Sequence, residues 1–418
     1  MAIFKPFRAV RPAAAFADKV AALPYDVMNS DEARKMAFGN PYSFLHVDKA
    51  EIDLPKSVDI YDEKVYLKAK ENLGKLISAD VLQADEKPCL YIYQQVFEGR
   101  TQTGLVGCAS VDDYLQSVIK KHEFTRADKE ADRIRHVDTL DANTGPIFLT
   151  YRGRAEITSL LEQWKAAHAA VYDFTSGEVR QTVWVMDDDA VIAQLTALFG
   201  EIPALYIADG HHRAASAVKV AQKRRAEHPD YDGSEEFNFF LSVLFPAEEL
   251  AIMDYNRLIL DLNGYSAEKF LERIAVDFTV EKAPTAPYRP TQNHTFGLYL
   301  DQTWYRLAVK PDSVDESDPV KRLDVSILQE TLIAPVLGID DPRTDKRIDF
   351  VGGIRGLSEL ERRVNSGEAK AAFSMFPTST EELMSIADAG QVMPPKSTWF
   401  EPKLLSGLFI HFLSDAQN

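Results

Sequence analysis

Apolar and polar residues alternate in two neighbouring stretches of the chain, CLYIYQQVF and TGLVGCASV. Because successive side chains of a strand point to opposite faces, this alternation places one face of the strand against a core and the other in solvent. The turn residues Glu98-Gly99-Arg100 separate the stretches, so the pattern predicts a β-hairpin. Further strands are predicted at Phe4–Arg8, SFLHV (43–47), PIFLTY (146–151), RQTVWVM (180–186), ALYIA (204–208) and Phe237–Phe245.

Other stretches place their apolar residues at helical spacing, which predicts amphipathic helices. One helix is predicted to follow Ser30, a suitable N-cap residue with Asp31 and Glu32 in the first turn. The others are predicted at Tyr61–Leu82, Ile157–Ala170, Asp189–Phe199, His211–His228 and Val320–Ala334, the last of them stopped by Pro335.

Strands and helices mixed in this way indicate a mixed α/β (α+β) fold class with antiparallel hairpins. A chain of 418 residues exceeds one ordinary core. A change of composition near Asn263–Ala267 indicates a boundary. We expect an N-terminal α/β region (1–105), a core region (106–262) and a C-terminal α+β region (263–418).

Composition narrows the classes of function. With 45% hydrophobic and 27% charged residues, the chain resembles an ordinary globular protein. No apolar run approaches the roughly 20 residues of a membrane helix, and MAIFKPFRAVRP turns polar too soon for a signal-peptide core. Two cysteines, Cys89 and Cys108, provide no disulfide framework. We therefore expect a cytoplasmic protein that contacts no membrane.

A net charge of −17 argues against a nucleic-acid partner, which would favour a stripe of Lys and Arg. The one dense basic run, Lys219–Arg225, lies late in a predicted helix, where cations face water and offset the helix dipole. The sequence does not determine the oligomeric state, and a homo-oligomer is one of the alternatives.

The segment ALYIADGHHRAASAVKVA predicts a buried strand, a tight turn and a helix. Gly210 permits backbone dihedral angles that other residues resist. The first N–H groups of a helix lack internal partners and lie at its positive end, so an anion fits there. Arg213 adds a planar fork that suits phosphate oxygens. His211 and His212 could bind phosphate or move protons, and Asp209 could cap the helix or act as a base.

A second cluster runs from His122 to Tyr151. His122-Glu123 precedes Thr125, which could cap a charged helix and so place this pair at the helix mouth. Most charges of that helix fit a solvated face of i,i+4 pairs. The predicted substrate-pocket residues are His122, Arg126, Asn143 in the turn ANTGP, and Asp26 in LPYDV.

Three stretches have simpler structural interpretations. The turns at LPYDV and Asn40-Pro41, and the loop MPPKST (393–398), are equally consistent with purely structural roles. The chain contains no Walker loop, no GxGxxG after a strand, no GxSxG and no HExxH, and its cysteine spacing offers no zinc site.

The motifs ADGHHRAASA, HEFT…ANTGPIF, LPYDV and MPPKSTWFEPKLLSGLFIH together resemble a bacterial and archaeal family known only as a domain of unknown function. More distantly, the order His122-Glu123, Gly145-Pro146-Ile147 and Asp209 to Arg213 is similar to the ParB/sulfiredoxin-like fold, especially its free serine kinases. That resemblance implies phosphate binding by Gly210, His211, His212 and Arg213. It also implies roles for Glu123 and Asp209 near the transferred group, and a ParB/sulfiredoxin-like core at 106–262.

Three hypotheses follow. The first is a nucleotide-dependent small-molecule kinase that uses ATP or ADP with Mg²⁺ and phosphorylates an acceptor such as free serine, with Asp209, Glu123 and His212 as catalytic residues. The second is a metal-dependent phosphohydrolase with His211, His212 and Asp209 as ligands. The third is a non-catalytic module that senses a nucleotide or metabolite. The metal ligands, the acceptor and the role of the C-terminal region are left open.

Overall fold

The computed structural model describes residues 1–414, which form two compact units. The first unit holds Met1–Leu250 and the chain from Pro402 onward, and the second holds Ala251–Glu401. The mixed α/β fold class is confirmed. The predicted division into three regions stays a prediction, although one strand, Arg100–Ser110, runs across its first boundary at 105.

The first unit is organised around one large mixed sheet. The strands of this unit up to residue 250 are β1 (Phe4–Lys5), β2 (Val10–Pro12), β3 (Leu82–Ala84), β4 (Leu90–Phe97), β5 (Arg100–Ser110), β6 (Ile119–Lys120), β7 (Ala142–Asn143), β8 (Ile147–Tyr151), β9 (Tyr172–Ser176), β10 (Val179–Met186), β11 (Leu205–Asp209) and β12 (Phe239–Pro246). Strands β2 and β3 pair with each other, outside the large sheet. The sheet order is β6-β11-β8-β12-β5-β4-β10-β9, and β1 also pairs with β5. The pairs β6–β11 and β8–β12 are parallel, whereas the other neighbours are antiparallel.

The predicted hairpin is confirmed as β4 and β5. Its turn residues Glu98 and Gly99 both have positive φ (49° and 75°), as a two-residue type I′ turn requires. The predicted strands in PIFLTY, RQTVWVM, ALYIA and Phe237–Phe245 correspond to β8, β10, β11 and β12. Strand β12 is buried along nearly its whole length, which explains why its sequence is almost continuously apolar.

The helices of the first unit cover this sheet and an N-terminal cluster of apolar residues. They are α1 (Ala17–Val20), α2 (Ser30–Ala37), α3 (Leu45–Asp48), α4 (Glu63–Ser78), α5 (Val111–Leu115), α6 (Ala127–Leu140), α7 (Ala155–Ala167), α8 (Asp189–Gly200) and α9 (His211–Glu227). Helix α2 is capped by Asn29 rather than Ser30, through a capping box with Glu32.

The prediction of a strand at SFLHV is wrong, because this segment contains the helical turn α3. Phe44, Leu45 and Val47 are buried in the N-terminal cluster. A run of five residues is too short for its periodicity to separate a strand from a buried helix, so packing decides the conformation.

The second unit has its own antiparallel sheet, ordered β15-β17-β16-β19-β14-β18. The strands of this unit are β13 (Ile252–Met253), β14 (Tyr255–Ile259), β15 (Phe278–Lys282), β16 (Thr295–Leu300), β17 (Thr303–Val309), β18 (Ile348–Gly352), β19 (Ala371–Ser374) and β20 (Trp399–Phe400). Strands β13 and β20 pair with each other, outside the six-stranded sheet. Its helices are α10 (Ala267–Ile274), α11 (Asp324–Leu328), α12 (Ala334–Leu337), α13 (Leu357–Asn365) and α14 (Thr380–Asp388).

The helix predicted at Val320–Ala334 begins later, at Asp324, and does not stop at Pro335. A π-helical turn, Gln329–Ile333, separates α11 from α12, and Pro335 lies in the first turn of α12. Residues 324–337 are helical without a break, so Pro335 removes one backbone donor inside this run, and the π-helical turn lies just before it. The MPPKST loop is held within this unit, where the Ser397 hydroxyl donates to the Pro394 carbonyl (2.6 Å).

The chain then returns to the first unit, where β21 (His411–Phe412) pairs with β7. Cys89 and Cys108 are both buried free thiols. None of the helices in residues 1–414 combines the length and the apolar character needed to cross a lipid bilayer.

Candidate functional site

The predicted site residues lie at one end of the strands of the large sheet. Strands β6 and β11 are parallel neighbours, so their carboxyl ends lie side by side and lead to residues 122–123 and 209–213. Strand β8 is antiparallel to β11 and begins at the same edge. Helices α6 and α9 start there and contact each other, since the Ser216 hydroxyl donates to the Glu130 carbonyl (3.3 Å).

The turn between β11 and α9 depends on Gly210, whose φ is +93°. Gly210 is the N-cap residue of α9, and no side chain of the described residues caps the helix. Asp209 is therefore not the cap; instead its Oδ1 accepts a hydrogen bond from the Gly210 N–H (2.7 Å). The β11–β8 register shifts just before Asp209, and such an irregularity re-aims the end of a strand.

The start of α9 keeps unused donors. The first hydrogen bond across this start runs from the Ala214 N–H to the Gly210 carbonyl (2.9 Å). Within residues 1–414, no acceptor is found for the backbone N–H groups of His211, His212 and Arg213. Gly210 and His211 are buried, whereas His212 and Arg213 are half-buried. The helix dipole adds partial positive charge at this point, so the turn suits an anion.

The guanidinium of Arg213 folds back over this turn. A Cβ placed on Gly210 would lie 3.1 Å from Nε and Nη2 of Arg213. Nη1 of Arg213 donates to the Pro146 carbonyl (2.6 Å), whereas the buried Nε has no partner among the described residues. The predicted neighbourhood of Arg213 and the turn is thus present, with part of the guanidinium anchored to the start of β8.

Lys403 is a member of the site that the sequence did not reveal. Its Nζ lies 2.9 Å from Oδ2 of Asp209, and its backbone carbonyl accepts from the buried Gln95 side chain (3.0 Å). Although burial opposes ionisation, Lys403 and Arg213 hold the pKa of Asp209 well below its usual value. Asp209 is therefore a weak base that joins the C-terminal segment to the turn.

His122, Glu123 and His211 form a compact group. The two imidazole rings lie edge to face with centroids 4.5 Å apart, and Nδ1 of His211 is 3.9 Å from Oε2 of Glu123. One donor atom from each residue lies within 4.8 Å of the others. Among the described residues, neither ring nitrogen of His122 nor Nε2 of His211 has a partner with hydrogen-bond geometry, although the Ile207 carbonyl is near enough to favour a proton on His122.

Burial keeps the histidines of the site neutral. It lowers the pKa of His122 to about 4 and that of His211 well below the usual value. Burial is also the main cause of the lowered pKa of His212. At neutral pH each imidazole therefore offers one lone pair and one N–H.

His212 contacts the loop before α6. Its Nε2 accepts a hydrogen bond from the backbone N–H of Arg126 (3.0 Å), and the negative charge of Asp26 favours its protonated form. Arg126, the N-cap residue of α6, is exposed and pairs with Asp128 (2.9 Å). Thr125, the cap suggested by the sequence, does not cap this helix. Its hydroxyl donates to Glu130 instead (2.7 Å).

The ligand set His211, His212 and Asp209 is not assembled in the described part of the chain. Nε2 of His212 is occupied by the Arg126 N–H and Asp209 by Lys403. His122 and Glu123 replace them beside His211. Adjacent residues on a helix point about 100° apart, which explains why His211 and His212 do not converge.

Asn143 lines a small cavity of about 30 Å³, which has room for one or two water molecules. Arg213, Arg133, His136 and Asp48 also line it. The Asn143 Oδ1 accepts from the Leu241 N–H (3.2 Å), so this predicted pocket residue also ties β7 to β12. The sequence did not single out Arg133 or Asp48 as site residues, because a buried charged residue on a helix cannot be distinguished in the sequence from a solvent-exposed one.

Comparisons with known proteins give a family and several solved structures. The model of a family described as "Protein of unknown function (DUF1015)" matches residues 4–326. No curated protein matches the chain.

Among solved structures, a mutant free serine kinase in complex with AMP is 14% identical, covering 71% of this chain and 87% of its own, with a TM-score of 0.35. A conserved hypothetical protein from Pyrococcus furiosus is 15% identical (72% and 92% covered, TM-score 0.35). SbnI from Staphylococcus aureus, with a C-terminal truncation, is 11% identical (75% and 90% covered, TM-score 0.38). At such low TM-scores these likenesses are descriptive only.

Proposed function

This chain belongs to the DUF1015 family, and we propose that it is a nucleotide-dependent small-molecule kinase. The observation that carries the proposal is the start of α9, where three backbone N–H groups have no acceptor among residues 1–414. They follow a glycine in the left-handed region and lie beneath a guanidinium. This combination provides directed donors and positive charge for a phosphate chain. Lys403 adds a second cation at the same turn.

The proposed ligand is ATP or ADP with Mg²⁺. Phosphoryl transfer depends mostly on positioning the groups and neutralising their charge. The amides of His211, His212 and Arg213 would hold the phosphates. When bound, Mg²⁺ would neutralise phosphate charge, and two carboxylates would help to hold it: Asp209, directly before the turn, and Glu123, beside His211.

Glu123 is the better candidate for accepting the proton of the acceptor hydroxyl. The low pKa of Asp209 makes that carboxylate a poor base. The Glu123 side chain is 43% exposed beside His211, so a substrate can reach it. The acceptor oxygen would bond to the terminal phosphorus as the bond to the nucleotide breaks, and the proton would pass to Glu123. A hydroxylated metabolite such as free serine is the proposed acceptor.

The test is nucleotide binding by calorimetry with ADP and ATP in the presence of Mg²⁺. Arg213→Ala should weaken binding at least 30-fold, about 2 kcal/mol, because it removes a charge-assisted contact to phosphate. Lys219→Ala is the matched control, since Lys219 is an exposed cation on the same helix, and it should change affinity less than twofold. Unchanged affinity in Arg213→Ala, or an equal loss in both variants, would contradict the proposal.

A further inference from the structure

In the group His122, Glu123 and His211, the two imidazoles have no role in the kinase proposal. Two imidazoles and one carboxylate are the ligands of many catalytic zinc sites. Hard ions such as Mg²⁺ prefer oxygen ligands, whereas imidazole suits Zn²⁺, Fe²⁺ and Co²⁺. The type of donor therefore distinguishes this group from a magnesium site on the nucleotide.

The geometry is close to what such an ion requires. Zinc lies roughly 2.0–2.2 Å from nitrogen and oxygen ligands, so tetrahedral ligand atoms are roughly 3.3–3.6 Å apart. Nδ1 of His211 and Oε2 of Glu123 are already 3.9 Å apart, and all three donor atoms lie within 4.8 Å. The rings of His122 and His211 are buried, whereas Glu123 is half-exposed, so the carboxylate is the ligand whose position would adjust on metal binding.

A second observation points to a ligand. His122 is 2% exposed, and neither of its ring nitrogens has a partner with hydrogen-bond geometry among the described residues. Nε2 of His211, a residue 6% exposed, is also without one. The Ile207 carbonyl can serve at most one ring nitrogen of His122. Buried polar atoms are nearly always paired, so the remaining ring nitrogens indicate a ligand from outside the chain.

We propose that His122, Glu123 and His211 bind one divalent transition-metal ion, with Zn²⁺ as the reference ion. Three protein ligands leave a coordination position open for water or for an oxygen of a bound ligand. Because His211 is the first residue of α9, the ion would lie next to the phosphate-binding turn and add positive charge there. Ligation through one Glu123 oxygen leaves the other oxygen available to a proton.

The experiment uses the full chain, stripped with a chelator and titrated with Zn²⁺, and separately with Co²⁺ for its visible absorption, without nucleotide. Wild type should bind one equivalent, and bound Co²⁺ should show the intense bands of a four- or five-coordinate site. His122→Ala and Glu123→Gln should each weaken Zn²⁺ binding at least 30-fold. Glu123→Gln also covers the case in which loss of a buried histidine prevents folding, since Glu123 is half-exposed.

Two controls make the outcome specific. His168→Ala removes an exposed histidine on another element and should leave Zn²⁺ affinity unchanged. His212→Ala separates this site from one built on His211, His212 and Asp209, and it should also bind Zn²⁺ normally. Absence of stoichiometric binding in wild type, or loss in His212→Ala but not in His122→Ala, would overturn the proposal. The readout contains no nucleotide, so it stands or fails separately from the kinase proposal.

Discussion

At the scale of single residues, the site depends on what Gly210 permits. Its φ of +93° lies in the region that side chains with a Cβ rarely adopt, and the guanidinium of Arg213 occupies the space a Cβ would need. Both residues could be predicted from ADGHHR, because a turn and its helix are local in sequence. Lys403 could not, since it is 194 residues from its partner Asp209.

Gly210→Ala tests this residue-scale account. It should destabilise the protein by about 2–3 kcal/mol, because backbone strain adds to the clash with Arg213. Gly233→Ala is the control: Gly233 has a similar φ of +95° with nothing within 4 Å of an added Cβ, so it should cost about 1 kcal/mol. Urea denaturation measures both values. Equal costs would show that the guanidinium does not occupy the space beside Gly210.

At the scale of elements, the site exists because β6 and β11 pair in parallel. The sequence predicted β11 and α9, whose patterns are long and clear, but not β6, whose two residues are too few to show alternation. Pattern reasoning therefore could not bring His122 and Glu123 to His211; only the resemblance to free serine kinases implied that Glu123 lies near the turn. The same shortness explains why SFLHV was wrongly predicted as a strand.

Helix α11 supplies a prediction at this scale. Its first residue, Asp324, accepts from the His294 N–H (2.8 Å), but burial raises its pKa to about 7. The folded state thus binds a proton that the unfolded state releases near pH 4. This proton contributes on the order of 3 kcal/mol to the free energy of unfolding. The contribution is fully present below pH 4 and is lost as the pH rises through about 7.

Asp324→Asn keeps the shape of the protonated carboxyl and removes its titration. Hydrogen exchange of β16 and β19 in the full chain, compared between wild type and variant at each pH, measures the effect. The variant should match wild type at pH 4 and be more protected at pH 8. A difference that does not change with pH would show that Asp324 does not titrate in this range.

At the scale of the whole molecule, the second unit is inserted into the first, because the chain leaves at Ala251 and returns at Pro402. The sequence indicated the mixed fold class and most strands of the large sheet, since these follow from local patterns. The return of the chain to the first unit could not be predicted from the sequence, because β21 is two residues long and pairs with a distant short strand, β7. The return brings Lys403 to Asp209 and completes the proposed phosphate site.

The central claim is that the unpaired amides at the start of α9 bind the phosphates of a nucleotide. A crystal structure of the full chain with ADP and Mg²⁺ tests it most directly. We predict phosphate oxygens at roughly 2.7–3.2 Å from the backbone nitrogens of His211 to Arg213, with the Arg213 guanidinium alongside. ADP bound elsewhere, with these amides contacting only water, would contradict it.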